Sequence, residues 1–209
     1  MRRLPYIFIL FLLAGSSMGQ TLNYEVVKGN KKLGDMTVER SAYNNHVEYN
    51  INSKVVFRIL FSFTVDYQST SVYKNNELER ESTISYLNGS TQKASAILRN
   101  GDEYSLTLND VTSIEKAPIT YSVASVYFVE PKDGEKVYSP QFGTYLTFEK
   151  IKDHQYQLES PDGVNIYTYM NGICTEVKVS RDFAKFYFKM TPETYFAVRN
   201  KVDSIFGKP

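Results

Sequence analysis

The chain has 209 residues, which is enough for one domain with a sizeable core. Its 24 lysines and arginines nearly balance 23 aspartates and glutamates, so no strong net charge attracts it to nucleic acid or to an anionic membrane surface. The single cysteine cannot form an internal disulfide. Packing alone must therefore stabilise the fold.

Residues 1–19 have the layout of a cleavable export signal. Arg2 and Arg3 precede an apolar run over residues 4–14 that is too short to span a bilayer, and small residues follow it. Cleavage before Gln20 places small residues at the two positions that signal peptidase recognises. We therefore expect an exported protein, periplasmic or extracellular, whose mature chain of residues 20–209 is one β-rich domain without a transmembrane anchor.

Alternation of apolar and polar residues dominates the mature chain. From Val47 to Phe57 the odd positions are mostly apolar and the even ones up to Lys54 are polar, which is typical of a strand with one wet face. Turn pairs such as Asn88-Gly89 separate the runs at short intervals and favour antiparallel hairpins. Strands are predicted near residues 21–28, 33–43, 46–57, 63–74, 77–87, 91–99, 103–109, 143–149, 154–160, 164–170, 173–180 and 183–190.

So many sequential strands are too many for a flat sheet. We predict a mainly β fold in which about 10–12 antiparallel strands curl into an incomplete or half-open barrel, because curling limits exposed edges. A short helix is expected around residues 121–129, as a plug or lid over one mouth of the barrel. An amphipathic C-terminal helix is expected at about 192–206, where Thr191 can cap the first turn. One apolar stripe of this helix should pack on the barrel; its members are Tyr195, Val198, Val202 and Ile205.

Three stretches of the chain resemble a family of unknown function among exported proteins of Gram-negative bacteria. These are residues 24–36, YEVVKGNKKLGDM, residues 125–131, SVYFVEP, and residues 167–174, YTYMNGIC. The likeness covers most of residues 20–190, and it implies no activity and no catalytic residues. The order of elements is also similar to that of the periplasmic lipoprotein carriers and receptors, whose unclosed barrel holds acyl chains. That second likeness is architectural, and fold alone does not define function.

Little in the chain indicates catalysis. The two histidines, His46 and His154, both stand beside turn residues, and we interpret each as a solvated strand end. Neither has a second ligand at the short spacing that a zinc site needs, so we predict no metal, no cofactor and no catalytic residue. Asp66 interrupts an apolar tract, but its alternate neighbours are polar, which assigns it to the wet face. Cys174 is expected to be a buried strand thiol.

The densest apolar stretch of the mature chain runs from Val55 to Phe63, and it must contain a turn if two strands pair there. In one interpretation both strands are buried on both faces. In the other, Ile59, Leu60 and Phe61 form a hydrophobic loop at the barrel rim, which enters a bilayer or admits an acyl chain. These three residues and Phe63 are the candidate contacts for a ligand or membrane.

The composition favours binding over catalysis. The chain has 17 tyrosines and 13 phenylalanines. Their rings can line an apolar site in a barrel interior, and the tyrosine hydroxyls can supply its few polar groups. We therefore expect a protein that binds a lipid or another hydrophobic small molecule. The alternative is an envelope scaffold that interacts with another envelope protein and has no small ligand. A carboxylate-dependent hydrolase is a second alternative, because paired acids across a barrel mouth need no sequence spacing.

Overall fold

One large antiparallel sheet of fourteen strands and one C-terminal helix make up the computed structural model, which describes residues 18–58, 61–182 and 184–206. The elements are β1 Met18–Lys28, β2 Lys31–Tyr43, β3 His46–Arg58, β4 Ser62–Lys74, β5 Glu77–Leu87, β6 Ser90–Asn100, β7 Glu103–Leu108, β8 Val111–Glu115, β9 Lys136–Ser139, β10 Thr144–Lys152, β11 Gln155–Ser160, β12 Gly163–Met170, β13 Ile173–Arg181, β14 Ala184–Met190 and helix α1 Pro192–Phe206.

Tight turns join most consecutive strands. Asn44, Asn75, Asn88 and Asn171 all adopt a positive φ of 53° or 54°, which is the left-handed conformation that asparagine tolerates better than most residues. Each stands at the start of a turn that the sequence pattern predicts. These turns set the register of the hairpins, so that successive strands expose and bury alternate residues.

The sheet consists of two meanders that meet at one pair of strands. Strands β1–β8 and strands β9–β14 each follow one another as hairpins, and β14 pairs with β1, with Tyr24 opposite Met190. The fold class predicted from the sequence is confirmed. The strands number fourteen, because the short strands β8 and β9 add to those predicted. These two strands follow each other along the chain, yet they form opposite edges of the sheet.

The two ends of the sheet overlap without pairing, so the barrel stays unclosed. The β9–β10 turn lies against the inner face of β6 and β7, where the Lys93 ammonium is 5.2 Å from the centre of the Phe142 ring. In the same turn Gly143 has a φ of 62°, and a Cβ atom there would lie 2.8 Å from a methyl carbon of Leu106. Only glycine combines that backbone conformation with so close an approach.

The connection between β8 and β9, residues 116–135, runs through the interior of the curled sheet; we call it the crossing segment. Ile119, Ala124 and Val126 are each at most 1% exposed. Where the sequence predicts a lid helix over residues 121–129, the structure has a three-residue 3-10 helix, Ser125–Tyr127. Several of its side chains enter the interior, while others, such as Pro118 and Val129, stay exposed.

Opposite walls of the barrel bind the crossing segment. The Leu78 N–H of β5 donates a hydrogen bond to the Ile119 carbonyl at 2.8 Å. From β12, the Tyr169 hydroxyl donates to the Val126 carbonyl at 2.9 Å. Ile119 belongs to one hydrophobic cluster and Val126 to the other, so the segment joins both halves of the core.

The C-terminal helix α1 packs against the sheet through its first turns. The Thr194 N–H lies 3.4 Å from the Thr191 hydroxyl oxygen, the contact that an N-cap makes. Val198 is buried and Tyr195 is partly buried against the core. The other two members of the predicted stripe, Val202 and Ile205, have side chains outside the described residues. No helix in the described ranges has the length and apolar content to cross a membrane.

Ile119→Ala should destabilise the fold by about 2–5 kcal/mol, because it removes buried methyl groups from the centre of the barrel and leaves a cavity. The free energy of unfolding from urea titrations measures this effect. Val129→Ala, in the same segment but at a side chain that is 46% exposed, is the matched control. We expect it to change stability by no more than about 0.5 kcal/mol. Equal effects of the two substitutions would contradict an interior position for the segment.

Candidate functional site

A polar patch interrupts the apolar inner wall of the barrel on strands β4, β5 and β6. The inward positions in this patch carry hydroxyls and one carboxyl, and all are buried; they are Ser69, Ser71, Glu81, Thr83 and Ser95. Strand register brings them together, because Ser71 lies opposite Glu81, and Thr83 lies between Ser69 and Ser95. The Ser69 and Thr83 hydroxyl oxygens are 2.9 Å apart.

A bulge in β5 turns Glu81 inward. Tyr73 of β4 pairs with Leu78, but the adjacent Val72 pairs with Arg80, so Glu79 is an extra residue without a cross-strand partner. The extra residue reverses which side chains face the core. Leu78 points inward on one side of the bulge and Glu81 on the other. A regular strand would have directed Glu81 to solvent.

Glu81 is 2% exposed, and this burial has an electrostatic consequence. Burial disfavours the charged carboxylate and raises the pKa of Glu81 to about 8. The hydroxyls of Ser71 and Ser122 lower the pKa and so partly offset the effect of burial. Neither hydroxyl makes a hydrogen bond of good geometry to the carboxyl. At neutral pH the side chain is therefore mostly a neutral acid that both donates and accepts hydrogen bonds.

Other buried polar atoms share this neighbourhood. Among the described residues, the buried side-chain oxygens that have no hydrogen-bond partner are both carboxyl oxygens of Glu81 and the hydroxyls of Ser71, Tyr73, Ser95, Ser122 and Tyr138. Tyr73 stays protonated, because burial and the proximity of Glu81 raise its pKa well above the ordinary value. Unpartnered buried groups are rare in proteins and carry a cost of about 1–3 kcal/mol each. The cluster is thus equipped to hold water or a small polar group.

A small cavity of about 10 Å³ adjoins the patch. Its lining includes Thr83 and Ser95, together with Tyr67, Ser85, Lys93, Ala94, Leu108 and Gln141. This volume holds about one water molecule. At its outer side the Lys93 ammonium and the Gln141 amide both donate to one carboxylate oxygen of Asp162, at 3.0 Å and 2.8 Å. The cavity is therefore small, and two of the residues that line it, Lys93 and Gln141, are held by Asp162.

The rim hairpin between β3 and β4 contains the contact residues predicted from the sequence. Ile59 and Leu60 lie outside the described residues. Phe61 is 75% exposed, whereas Phe63 is partly buried and packs against the core. The ring centres of Phe63 and Phe57 are 5.1 Å apart in a stacked arrangement. Phe61 and Phe63 therefore have different surroundings, one in solvent and one at the base of the hairpin.

The remaining residues singled out from the sequence do not join the patch. Asp66 is on the outer face of β4, because the inward residues of that strand are the odd-numbered ones. His46 Nε2 is 3.9 Å from a carboxylate oxygen of Glu79, and His154 Nδ1 is 3.0 Å from one of Glu130. His154 is exposed, whereas His46 is partly buried. Within the described ranges, no three His, Cys, Asp or Glu side chains converge as a metal site requires.

Cys174 is fully buried, which confirms the prediction of an interior strand thiol. Burial raises the pKa of its thiol well above the ordinary value. The Tyr24 hydroxyl donates to the Cys174 carbonyl at 2.7 Å, so this region of β13 is held against β1. Reactivity as a thiolate is not favoured at this position.

Glu81 is the buried functional group that sequence reasoning missed. Strand β5 has the apolar Leu78 and Ile84 at even positions and mostly polar residues at odd ones, so its alternation predicts that Glu81 faces solvent. The bulge at Glu79 has no marker in the sequence, because no glycine or proline occurs there. The available signal is weak: the alternate residues Glu81, Thr83 and Ser85 are uniformly polar beside the apolar Leu78 and Ile84.

The architecture defines the class of protein: an unclosed, curled antiparallel sheet with a filled interior. A crystal structure titled as a beta-barrel-like protein of the domain of unknown function DUF1849, from Brucella abortus, is similar to it. The TM-score is 0.53 and the sequence identity 10%, and the match covers 85% of this chain and 98% of that chain. At this identity the likeness concerns the fold alone.

The chain belongs to the family defined by the domain of unknown function DUF6134, whose model matches residues 24–191. The match spans the sheet from β1 to the end of β14 and thus contains both the polar patch and the rim hairpin. No curated protein sequence matches the chain. The comparisons therefore establish the family and the fold.

Glu81→Gln should change the pH dependence of stability. Below pH 4.5, the ordinary pKa of the group, the Glu81 carboxyl is protonated in both the folded and the unfolded chain. Its ionisation then has no effect on the free energy of unfolding. Between pH 4.5 and about 8 the unfolded chain ionises first. Stability should then fall by up to about 1.4 kcal/mol per pH unit, and this loss should level off above the folded pKa.

Urea titrations of both proteins between pH 4 and pH 9 measure this dependence. The stability of Glu81→Gln relative to the original protein should rise with pH across the window. Glu159→Gln removes an exposed carboxyl from β11 and is the control, with an expected change within about 0.5 kcal/mol. A difference between the original protein and Glu81→Gln that stays constant from pH 5 to pH 8 would show that Glu81 is ionised in the folded state.

Proposed function

We propose that this protein is an exported binding protein that contacts lipid through the β3–β4 hairpin at the barrel rim. The observation that carries the proposal is the exposure of Phe61, 75% in solvent at the end of the sequence Ile59-Leu60-Phe61. A turn of large apolar residues is unfavourable in water unless it meets an apolar partner. A lipid acyl region is a partner of that kind.

The base of the hairpin is packed into the core. Phe57 stacks on Phe63 and also meets Phe186 of β14 edge to face, with ring centres 5.2 Å apart. Phe57 is 4% exposed, so these contacts belong to the core. The packed base thus fixes the position from which Phe61 leaves the sheet.

Basic side chains on the same rim suit lipid headgroups. Arg58 flanks the tip, and Lys28 and Lys31 flank the neighbouring β1–β2 turn. All three are exposed. Long basic side chains can keep their charge at the headgroup level while an adjacent apolar tip enters the hydrocarbon.

The interior of the barrel is less suited to a lipid than its rim. The crossing segment occupies the centre, and the cavity beside the polar patch has about 10 Å³, far less than an acyl chain needs. Catalysis by paired carboxylates also has less support, because Glu81 faces the interior and Asp66 the outer surface. Binding at the rim is therefore the function that the geometry supports best.

Export of this protein is part of the proposal. Residues 1–17 lie outside the described residues, and the argument for a signal rests on their sequence. The fold is compatible with removal of residues 1–19, because those side chains of β1 that are described as buried, such as Leu22 and Tyr24, follow Gln20. Each of the register pairs from Gln20 opposite Arg40 onward would remain.

Expression of the full chain in a Gram-negative host should yield a soluble product that starts at Gln20 or within a few residues of it, because the leader has the basic, apolar and small-residue parts of a signal peptide. Intact mass and N-terminal sequencing of the fractionated cells measure this. A product that retains Met1 in the membrane fraction would contradict export with cleavage.

Phe61→Ser should weaken binding to vesicles of phosphatidylethanolamine and phosphatidylglycerol by about tenfold or more, because burial of a phenylalanine contributes about 1.5–3 kcal/mol. The melting temperature should stay nearly unchanged, since surface substitutions alter stability by no more than about 0.5 kcal/mol. Flotation or sedimentation of the protein with vesicles measures the affinity.

Phe196→Ser is the matched control for the vesicle experiment. Phe196 is 56% exposed on α1, at the other end of the strands. Its replacement should leave vesicle binding intact. The proposal would fail if Phe61→Ser bound vesicles as the original protein does, and a large loss of stability from Phe61→Ser would identify the residue as part of the core.

A further inference from the structure

The two edge strands of the sheet differ in whether their outward backbone N–H and C=O groups have hydrogen-bond partners. At the β9 edge, the Tyr138 backbone N–H donates a hydrogen bond to the Tyr121 carbonyl at 2.9 Å. The Val123 backbone N–H donates to the Tyr138 carbonyl at 3.0 Å. The crossing segment thus covers that edge. At the β8 edge, no backbone hydrogen bond from the described residues reaches the outer side of the strand. An uncovered edge is a template for another strand.

The β7–β8 hairpin determines which backbone groups of β8 face outward. Its two-residue turn is Asn109–Asp110, and Leu108 lies opposite Val111. Residues that flank a two-residue turn form a hydrogen-bonded pair, and such pairs alternate along the strands. Val111 and every second residue after it therefore bond to β7. The N–H and C=O groups of Thr112 and Ile114 point away from the sheet.

The side chains at this edge are also uncovered. Val111 is 71% exposed and Ile114 is 56% exposed. On the outer face, Ile114 lies opposite Ser105, which lies opposite Leu98, itself 53% exposed. This row forms an apolar strip that ends at the open edge. A strand added there would cover both the free backbone groups and part of the strip.

We propose that two copies of this chain associate through β8, paired antiparallel about a two-fold axis at Ser113. In this register Thr112 of one copy lies opposite Ile114 of the other. Both residues present outward N–H and C=O groups, so each such pair forms two hydrogen bonds. The two Ile114 side chains lie on one face as diagonal neighbours, within reach of each other across the axis.

Charge complementarity favours this register and a second copy as the occupant. Just beyond the paired residues, this register brings Lys116 of one copy, which also contacts Glu103 of its own chain, toward Asp110 of the other, and the symmetry repeats the contact. Glu115 meets Val111, so no like charges face each other. Registers centred on Thr112 or Ile114 bring one outward residue opposite the turn or the departing chain instead. An isologous pairing of this kind closes as a dimer and leaves no further open β8 edge.

The dimer should be weak, because the paired strand has five residues and a standard stable interface buries about 1,200–2,000 Å². Sedimentation equilibrium of the full-length product over a wide concentration range should show an apparent mass that rises from one chain toward two. Thr112→Pro removes an outward N–H without breaking a bond to β7, as proline at an edge permits. This variant should stay at the mass of one chain at all concentrations.

Ser113→Cys gives a second, register-specific readout. The two Ser113 residues form a non-hydrogen-bonded pair with Cα atoms about 4.5 Å apart, which is within disulfide range. Mild oxidation should convert this variant to a covalent dimer. Thr112→Cys is the matched control, because its Cα atoms are about 7–8 Å or more apart across the axis, too far for efficient bridging. The native Cys174 is buried and should not interfere.

A single-chain mass at every concentration, together with no cross-linking of Ser113→Cys, would overturn the proposal. A dimer that persists in Thr112→Pro would also overturn it, because its interface would then lie elsewhere. Equal cross-linking of Ser113→Cys and Thr112→Cys would exclude the stated register. If the protein stays monomeric and binds an extended peptide at the β8 edge, the occupant of that edge is a peptide. This result would also reject the dimer.

Discussion

The structure depends on one connection, the chain between the two edge strands of the sheet. Strands β8 and β9 are consecutive in sequence but form the two edges, and the residues between them contribute to the core. The crossing segment supplies buried apolar side chains to both hydrophobic clusters. Without it, the inner face of fourteen strands would be exposed to water.

The crossing segment also accounts for the polar patch. Ser122 comes from this segment and Glu81 from the wall, so one interior neighbourhood combines groups from distant parts of the chain. A bulge at Glu79 directs the carboxyl inward, and burial keeps it mostly neutral. A neutral acid among hydroxyls is tolerated in a core where a carboxylate would not be. The patch is thus a costly feature of an otherwise well-packed interior, and it makes stability sensitive to pH.

A filled interior moves binding to the outside of the molecule. The proposed lipid contact is at the rim, where Phe61 projects from a hairpin whose base is packed. The proposed dimer contact is at the uncovered edge, where the backbone groups of Thr112 and Ile114 have no partner strand. The two surfaces share no residue, so both can be occupied at once. Because the paired β8 strands run antiparallel, the two rim hairpins of a dimer lie at opposite ends of it.

Local patterns in the sequence determined much of this fold. Alternation from Val47 to Phe57 predicts β3, and Asn75, Asn88 and Asn171 mark turns that the structure confirms. These features depend on neighbours along the chain, namely the two-residue period of a strand and the left-handed tolerance of asparagine. The outward position of Asp66 and the capping contact of Thr191 follow from the same local rules.

Tertiary structure alone decided which parts of the chain meet. The bulge at Glu79 changes which residues of β5 face the interior, and no local preference of those residues predicts the bulge. Residues 121–129 contain a short 3-10 helix in place of the expected longer helix, and they belong to the connection between β8 and β9, which the pairing of β1 with β14 leaves as the two edges of the sheet. The sequence determined the strands and turns because they depend on residues close along the chain. The filled interior, the buried carboxyl and the open edge depend on contacts between residues far apart in sequence, which only the folded sheet brings together.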